Sequence, residues 1–85
     1  MDKAQNEVRL SDLETLALMV LRDSRPDCYL RRTLNYHKKP VYKLMDGDHR
    51  PLTYIMCDPL DALRRYGMVE LINLKNSDYL FKLKL

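Results

Sequence analysis

The sequence predicts one small α+β domain in which three helices precede a C-terminal β-hairpin. Three helix-start patterns, followed by two apolar segments around a polar turn, indicate this order. A chain of 85 residues is long enough for one hydrophobic core. With 46% hydrophobic and 32% charged residues, its composition is typical of globular rather than disordered proteins.

The N-terminal segment differs from the rest of the chain. Residues 1–9 are polar and aperiodic, which predicts a flexible arm followed by a domain at residues 10–85. The chain contains no apolar run of about 18 residues, and it does not begin with a cationic segment followed by an apolar one. We therefore expect no membrane span and no secretory signal. The expected location is the cytoplasm, or the nucleus in a eukaryote.

The first helix is predicted at residues 12–22. Ser11 and Glu14 form a capping-box pattern, in which each side chain can bond the backbone N–H of the other residue. The apolar residues that follow share one helical face: Leu13, Leu16, Ala17, Val20 and Leu21. This face is expected to enter the core.

The second helix is predicted at residues 26–37. The run Ser24-Arg25-Pro26-Asp27 offers a cap, a proline in the first turn and an acid at the third position. Pro40 forbids continuation and disfavours the helical conformation in the residue before it.

The segment at residues 41–56 leaves alternatives open. Residues 41–45 fit either a short strand or one helical turn, because short apolar runs are ambiguous in period. Residues 46–48, Asp-Gly-Asp, are typical of a turn. Residues 50–56 fit either a returning strand or the beginning of the next helix.

The third helix and the hairpin have clearer boundaries. Asp58 as cap and Pro59 as first residue predict a helix start, and Gly67 can adopt the left-handed conformation that ends a helix. Strands are expected at residues 68–74 and 79–85, around a polar turn. The residues expected to be buried together are Leu13, Leu16, Val20, Leu60, Leu63, Val69, Leu71, Phe81 and Leu83.

The segment that contains the third helix resembles part of a known family. It reads Leu60-x-x-Leu63-Arg64-Arg65-Tyr66-Gly67-Met68-Val69-Glu70. This run is similar to the segment that joins recognition helix to wing in the winged helix-turn-helix DNA-binding domains. The resemblance implies a winged-helix fold over most of residues 10–85. It also implies that the third helix lies in or near the major groove of double-stranded DNA.

Basic side chains occur in two blocks. Residues 28–45 carry cations and no acid, and residues 64–85 carry more cations than acids. Clustered cations indicate a polyanionic partner more strongly than the net charge of +3 does. The residues predicted to bind DNA are Arg31, Arg32, Lys38, Lys39, Lys43, Arg50, Arg64, Arg65, Lys75, Asn76 and Ser77.

The predicted function is therefore a small winged-helix DNA-binding protein, and a transcriptional regulator. Contacts to five or six phosphates would give a slope of log affinity against log salt of roughly −5. The alternative is a winged-helix module that binds another protein and no nucleic acid. Asp58 and Asp61 favour this alternative, because acids on the third helix would repel phosphate. For Arg64 and Arg65, ion pairing with Asp61 is an equal alternative to phosphate binding.

The run Tyr36-His37-Lys38-Lys39 mixes aromatic and basic residues. Such a mixture suits nucleic acid, but it also suits the C-terminal end of a helix, where His and Lys complement the dipole. The second interpretation is favoured because the predicted helix ends here.

Catalytic and metal-binding patterns find no support, so neither an enzyme nor a cofactor is expected. Cys28 and Cys57 are expected to be free thiols rather than a disulfide, and a zinc site would need further ligands. Residues 46–48 lack the remaining ligands of a calcium loop.

A homodimer is expected, with a monomer as the alternative. The chain's last alternating strand would leave an unpaired edge, and Leu18 and Met19 offer a second apolar patch. Lys82 and Lys84 on that strand favour the monomer, because charged side chains block edge pairing.

Overall fold

The computed structural model describes residues 9–84, which form two helices and a five-stranded antiparallel sheet. In chain order the elements are α1 (Asp12–Arg22), β1 (Tyr29–Leu34), β2 (Pro40–Met45), β3 (Pro51–Met56), α2 (Cys57–Arg65), β4 (Val69–Lys75) and β5 (Asp78–Leu83). The strands lie in the order β3-β2-β1-β5-β4. The predicted winged helix, with three helices and a hairpin wing, is therefore wrong.

Strand β1 and a turn replace the predicted second helix at residues 26–37. β1 pairs with β2 along its whole length, from Tyr29 to Leu34. On the other side of β1, Leu30 lies opposite Tyr79 of β5. Successive side chains of a strand point to opposite faces, and Leu30 is fully buried as a result. The local helix-start pattern is overridden because two neighbouring strands satisfy the backbone of β1.

The two segments whose conformation was left open are both strands, β2 and β3. They form a hairpin whose turn is held by the Asp46 carboxylate. Its Oδ1 accepts hydrogen bonds from the backbone N–H groups of Asp48 and Arg50, both at 2.9 Å. The turn predicted at residues 46–48 is confirmed.

The helix α1 has the predicted bounds and the predicted capping box. The backbone N–H of Glu14 donates to Ser11 Oγ at 3.2 Å, and the N–H of Ser11 donates to Glu14 Oε1 at 3.1 Å. α2 begins at Cys57, two residues earlier than expected, so Asp58 lies in its first turn and does not cap it. Gly67 has a φ of 76° and ends the helix as predicted.

The core lies between the two helices and one face of the sheet. α2 contacts β2, β3 and β4, and α1 packs against α2. Leu60 and Leu63 of α2 and Val69 of β4 are buried, as predicted. Four other predicted core residues are partly buried and pack against them: Val20, Leu71, Phe81 and Leu83.

The prediction that Leu13 and Leu16 are buried is wrong. These side chains are 60% and 56% exposed. The helix α1 turns Ala17 and Leu21 toward the core instead. Since a helix with one neighbouring helix buries a narrow stripe, part of its apolar surface stays outside.

The strand β5 lies inside the sheet, between β1 and β4. The expectation that the last strand forms an edge is therefore wrong. Among residues 9–84, the edge strands are β3 and β4. Leu18, expected on an outer patch, packs against the core, whereas Met19 is exposed.

Residues 1–8 of the predicted arm lie outside the described residues. Within residues 9–84, neither helix has the length and apolar character that crossing a membrane requires.

Candidate nucleic-acid interface

Two hairpin turns lie side by side at one end of the sheet. The β1–β2 turn comprises residues 35–39, and the β4–β5 turn comprises residues 76–77. The backbone N–H of Arg32 in β1 donates to the carbonyl oxygen of Ser77 at 2.8 Å. Asn73 fixes the second turn from within β4, because its Nδ2 donates to the carbonyl oxygens of Asn76 and Asp78, both at 3.2 Å.

Four exposed cations lie at this end of the sheet: Arg32, Lys38, Lys39 and Lys75. We call these four residues the basic end. None of them forms an ion pair with another residue in the range 9–84. Asp58 lines the same cleft as Lys39.

The β1–β2 turn is held by the side chain of Asn35. Its Oδ1 accepts from the backbone N–H groups of His37 at 2.8 Å and Lys39 at 2.9 Å. The Asn35 N–H donates to the Lys39 carbonyl at 2.8 Å and closes the loop. Lys38 has a left-handed φ of 62°, which residues other than glycine rarely adopt. The hydrogen bonds of Asn35 thus fix the shape of the turn that carries Lys38 and Lys39.

The turn presents one aromatic ring to solvent. Tyr36 is 94% exposed, and its ring centroid lies 5.4 Å from that of His37 in an edge-to-face arrangement. Residues 35–39 do not end a helix, so the dipole interpretation of the run from Tyr36 to Lys39 is wrong. The sequence prediction omitted Tyr36 from the DNA-binding residues. Its signal was an aromatic residue two positions before a pair of lysines.

Three other residues predicted to bind DNA lie apart from the basic end or have acidic partners. Arg31 binds the Asp78 carboxylate at 2.8 Å. Arg50 lies in the β2–β3 turn, where its guanidinium is 3.1 Å from Asp48. Lys43 lies over the ring of Tyr54, with Nζ 5.8 Å from the centroid.

Arg64 and Arg65 line an open groove of about 670 Å³ between the end of α2 and β4. Arg64 forms the alternative ion pair with Asp61, at 3.6 Å. Lys84, in the same groove, is 3.2 Å from Glu70. The charges of this groove therefore largely pair with each other, unlike those of the basic end.

Acidic residues collect at the opposite end of the sheet. Asp46 and Asp48 lie in the β2–β3 turn, and Asp27 precedes β1. Gly47 allows these segments to approach, because a Cβ at this position would collide with the Asp27 carboxylate. Backbone hydrogen bonds from Arg50 and Asp48 lower the pKa of Asp46 despite some desolvation. These three acids thus lie at the end of the sheet opposite the basic end, and Arg50 pairs with two of them.

Cys57 and Tyr42 lie beside Arg32 on the helix-covered face. Burial raises the pKa of the Cys57 thiol, although Arg32 opposes this effect. Burial also raises the pKa of the Tyr42 hydroxyl. A thiol with a raised pKa is a poor nucleophile at neutral pH. Cys28 is buried, and both cysteines are free.

Within residues 9–84, no group of three or more His, Cys, Asp or Glu side chains is arranged to hold a metal ion. Comparison of the chain with protein-family models, with curated proteins and with solved structures found no match.

Proposed function

We propose that this protein binds nucleic acid through the basic end of the sheet. One observation supports the proposal. Arg32 of β1, Lys75 of β4, and Lys38 and Lys39 of the β1–β2 turn lie at the same end of the sheet. Lysine and arginine bind phosphates and release the counterions that surround a nucleic acid. Because none of these four cations forms an ion pair with an acid among residues 9–84, the basic end would attract a polyanion.

The mode of binding differs from the one that the winged-helix resemblance implied. α2 buries Leu60 and Leu63 in the core, and its other side carries Asp58 and Asp61. Acids on that side would repel phosphate. The contacts proposed here are made by strand ends and turns with the nucleic-acid backbone, and α2 supports the sheet.

A salt titration tests this proposal. The affinity for a labelled duplex is measured by fluorescence anisotropy between about 50 mM and about 200 mM salt. Four phosphate contacts give a slope of log affinity against log salt of roughly −3 to −4. The double variant Lys38→Gln, Lys39→Gln should weaken binding and reduce the slope by about 2.

Lys82→Gln is the matched control, because Lys82 is exposed on β5 but lies away from the two turns. Lys82→Gln should leave the slope of log affinity against log salt mostly unchanged. Absence of binding at low salt to both the duplex and its separated strands, by protein that circular dichroism shows to be folded, would overturn the proposal, as would equal slopes for the two variants.

A second candidate function is self-association through α1 and β3. Leu13, Leu16, Tyr54 and Met56 line an exposed groove of about 150 Å³ beside the free edge of β3. A second copy of the chain fits this surface, because an antiparallel strand pair between identical edges is self-complementary about a two-fold axis. The expected homodimer would then use β3 rather than β5.

A further inference from the structure

The β1–β2 turn carries a side chain that phosphate binding does not use. Tyr36 is 94% exposed, so its ring buries almost no apolar area and adds little to the stability of the fold. Polar or charged residues are the usual occupants of such a turn. We propose that Tyr36 stacks on an unpaired base, so that the target of the basic end is single-stranded nucleic acid. This inference rests on the proposed function.

The geometry of the turn suits a stacking platform. The Asn35 side chain, directly before Tyr36, holds the backbone after Tyr36 through the N–H groups of His37 and Lys39. The His37 ring meets the Tyr36 ring edge-to-face, with an interplanar angle of 79°. This contact covers at most one face of the Tyr36 ring, and the ring stays accessible to a base because it is 94% exposed. Binding a base therefore orders few additional side-chain torsions.

The neighbours of the ring fit a nucleotide rather than a base alone. Lys38 and Lys39 lie two and three residues after Tyr36 in the same turn, and Arg32 and Lys75 lie at the same end of the sheet. A base stacked on the ring would have its own phosphate and the next ones within reach of these cations. Alternation of an aromatic platform with cations along the backbone is the usual design of single-strand binding.

Whether a base can stack on Tyr36 depends on whether the bases of the nucleic acid are paired. In a duplex each base is covered above and below by its neighbours, so a protruding tyrosine finds no free face except at the ends. An unpaired strand offers a face at every nucleotide, and stacking depends little on base identity. The ring therefore adds affinity for a single strand of any sequence and little for a duplex.

Three labelled probes test the inference by anisotropy. They are a mixed-sequence DNA strand of roughly 12 nucleotides, its duplex with the complement, and an abasic deoxyribose-phosphate strand of the same length. Tyr36→Ala should weaken binding of the single strand about 5- to 100-fold while leaving the affinities for the duplex and the abasic strand unchanged. Tyr36→Phe should bind as the unsubstituted protein does.

Tyr66→Ala is the control, because Tyr66 is also exposed but lies at the other end of α2. It should leave binding to all three probes unchanged. If Tyr36→Ala binds the single strand as tightly as the unsubstituted protein, or if the abasic strand binds as tightly as the natural strand, the stacking inference is wrong and the proposed function stands. If none of the three probes binds, both are wrong.

Discussion

The Arg31 guanidinium joins β1 to β5 by binding the Asp78 carboxylate in a two-point contact. Its Nε donates to Oδ1 at 2.8 Å, and a terminal nitrogen donates to Oδ2 at 3.3 Å. The same side chain donates to the Tyr29 hydroxyl at 3.3 Å, and that hydroxyl lies 2.6 Å from Nδ1 of His49. Arg31, which was predicted to bind DNA, therefore links the strands β3, β2 and β1 to the strands β5 and β4.

Replacement of Asp78 by Asn should destabilise the fold at neutral pH and have little effect in acid. The hydrogen bond from Arg31 lowers the Asp78 pKa below its ordinary value of 3.8. A lowered pKa stabilises the fold above the ordinary value, and this stability is lost as pH falls through the lowered value. We expect the free energy of unfolding to drop by about 0.5–1 kcal/mol at pH 7.

Urea denaturation at several pH values measures this difference. Asp48→Asn is the control, because its ion pair with Arg50 is more exposed than that of Asp78 and should contribute less. A difference between Asp78→Asn and the unsubstituted protein that persists at pH values below the lowered pKa would contradict the prediction.

Two leucines on neighbouring helices should respond differently to truncation. Leu63 is fully buried, and Leu63→Ala should lower the free energy of unfolding by about 2–5 kcal/mol because it leaves a cavity. Leu16 is 56% exposed, and Leu16→Ala should change the free energy of unfolding by less than about 0.5 kcal/mol. Denaturant titration of monomeric protein tests both, and similar losses would mean that α1 packs through a different face.

Asn35→Ala should weaken nucleic-acid binding although it removes no charge. The substitution removes the acceptor that holds His37 and Lys39, so the turn loses its fixed shape and about 1 kcal/mol of stability. Asn73→Ala is the matched control, because it loosens the β4–β5 turn and leaves the support of Tyr36 intact. The affinity for a single strand should fall more in Asn35→Ala than in Asn73→Ala. Equal affinities of the two variants would contradict this prediction.

Self-association should depend on the apolar groove beside β3. Leu16→Glu places a charge in that groove and should convert a dimer to a monomer. Leu74→Glu is the control, because Leu74 is comparably exposed on the other edge strand, β4. Sedimentation equilibrium at micromolar concentration measures the masses. A 10.1 kDa species for the unsubstituted protein would exclude self-association in that range.

The elements whose signals are local could be predicted from the sequence. The Ser11–Glu14 capping box gave the first helix its bounds, and Gly67 marked the end of α2. The strands β4 and β5 were predicted as a hairpin because their apolar residues surround a polar turn. Each of these signals lies within a few residues of the structure it forms.

The second predicted helix failed because the decisive contacts are distant in sequence. The run from Tyr29 to Leu34 fits a helical face, but Leu30 lies opposite Tyr79, which is far along the chain. The usual hairpin signal was also missing. In the β1–β2 turn, Lys38 adopts the left-handed conformation that glycine normally takes, so no glycine marked this hairpin in the sequence.

The candidate site was predicted in part. Arg32, Lys38 and Lys39 were named from charge clustering and Lys75 from the wing tip that the winged-helix resemblance implied, but the sequence could not show that β1 brings two turns together. It also could not separate these cations from Arg31, Arg50 and Arg64, whose acidic partners become neighbours through folding. Tyr36 was passed over because its assignment depended on the wrong helix.

The position of β5 determines when during synthesis the protein can acquire its structure. Among residues 9–84, β5 is made after every other strand, yet it lies between β1 and β4. Until residues 78–83 have left the ribosome, β1 can pair with β2, but its other backbone edge is open. An open edge exposes a nascent chain to wrong pairing, and the five-stranded sheet becomes continuous only after its latest-made strand has entered it.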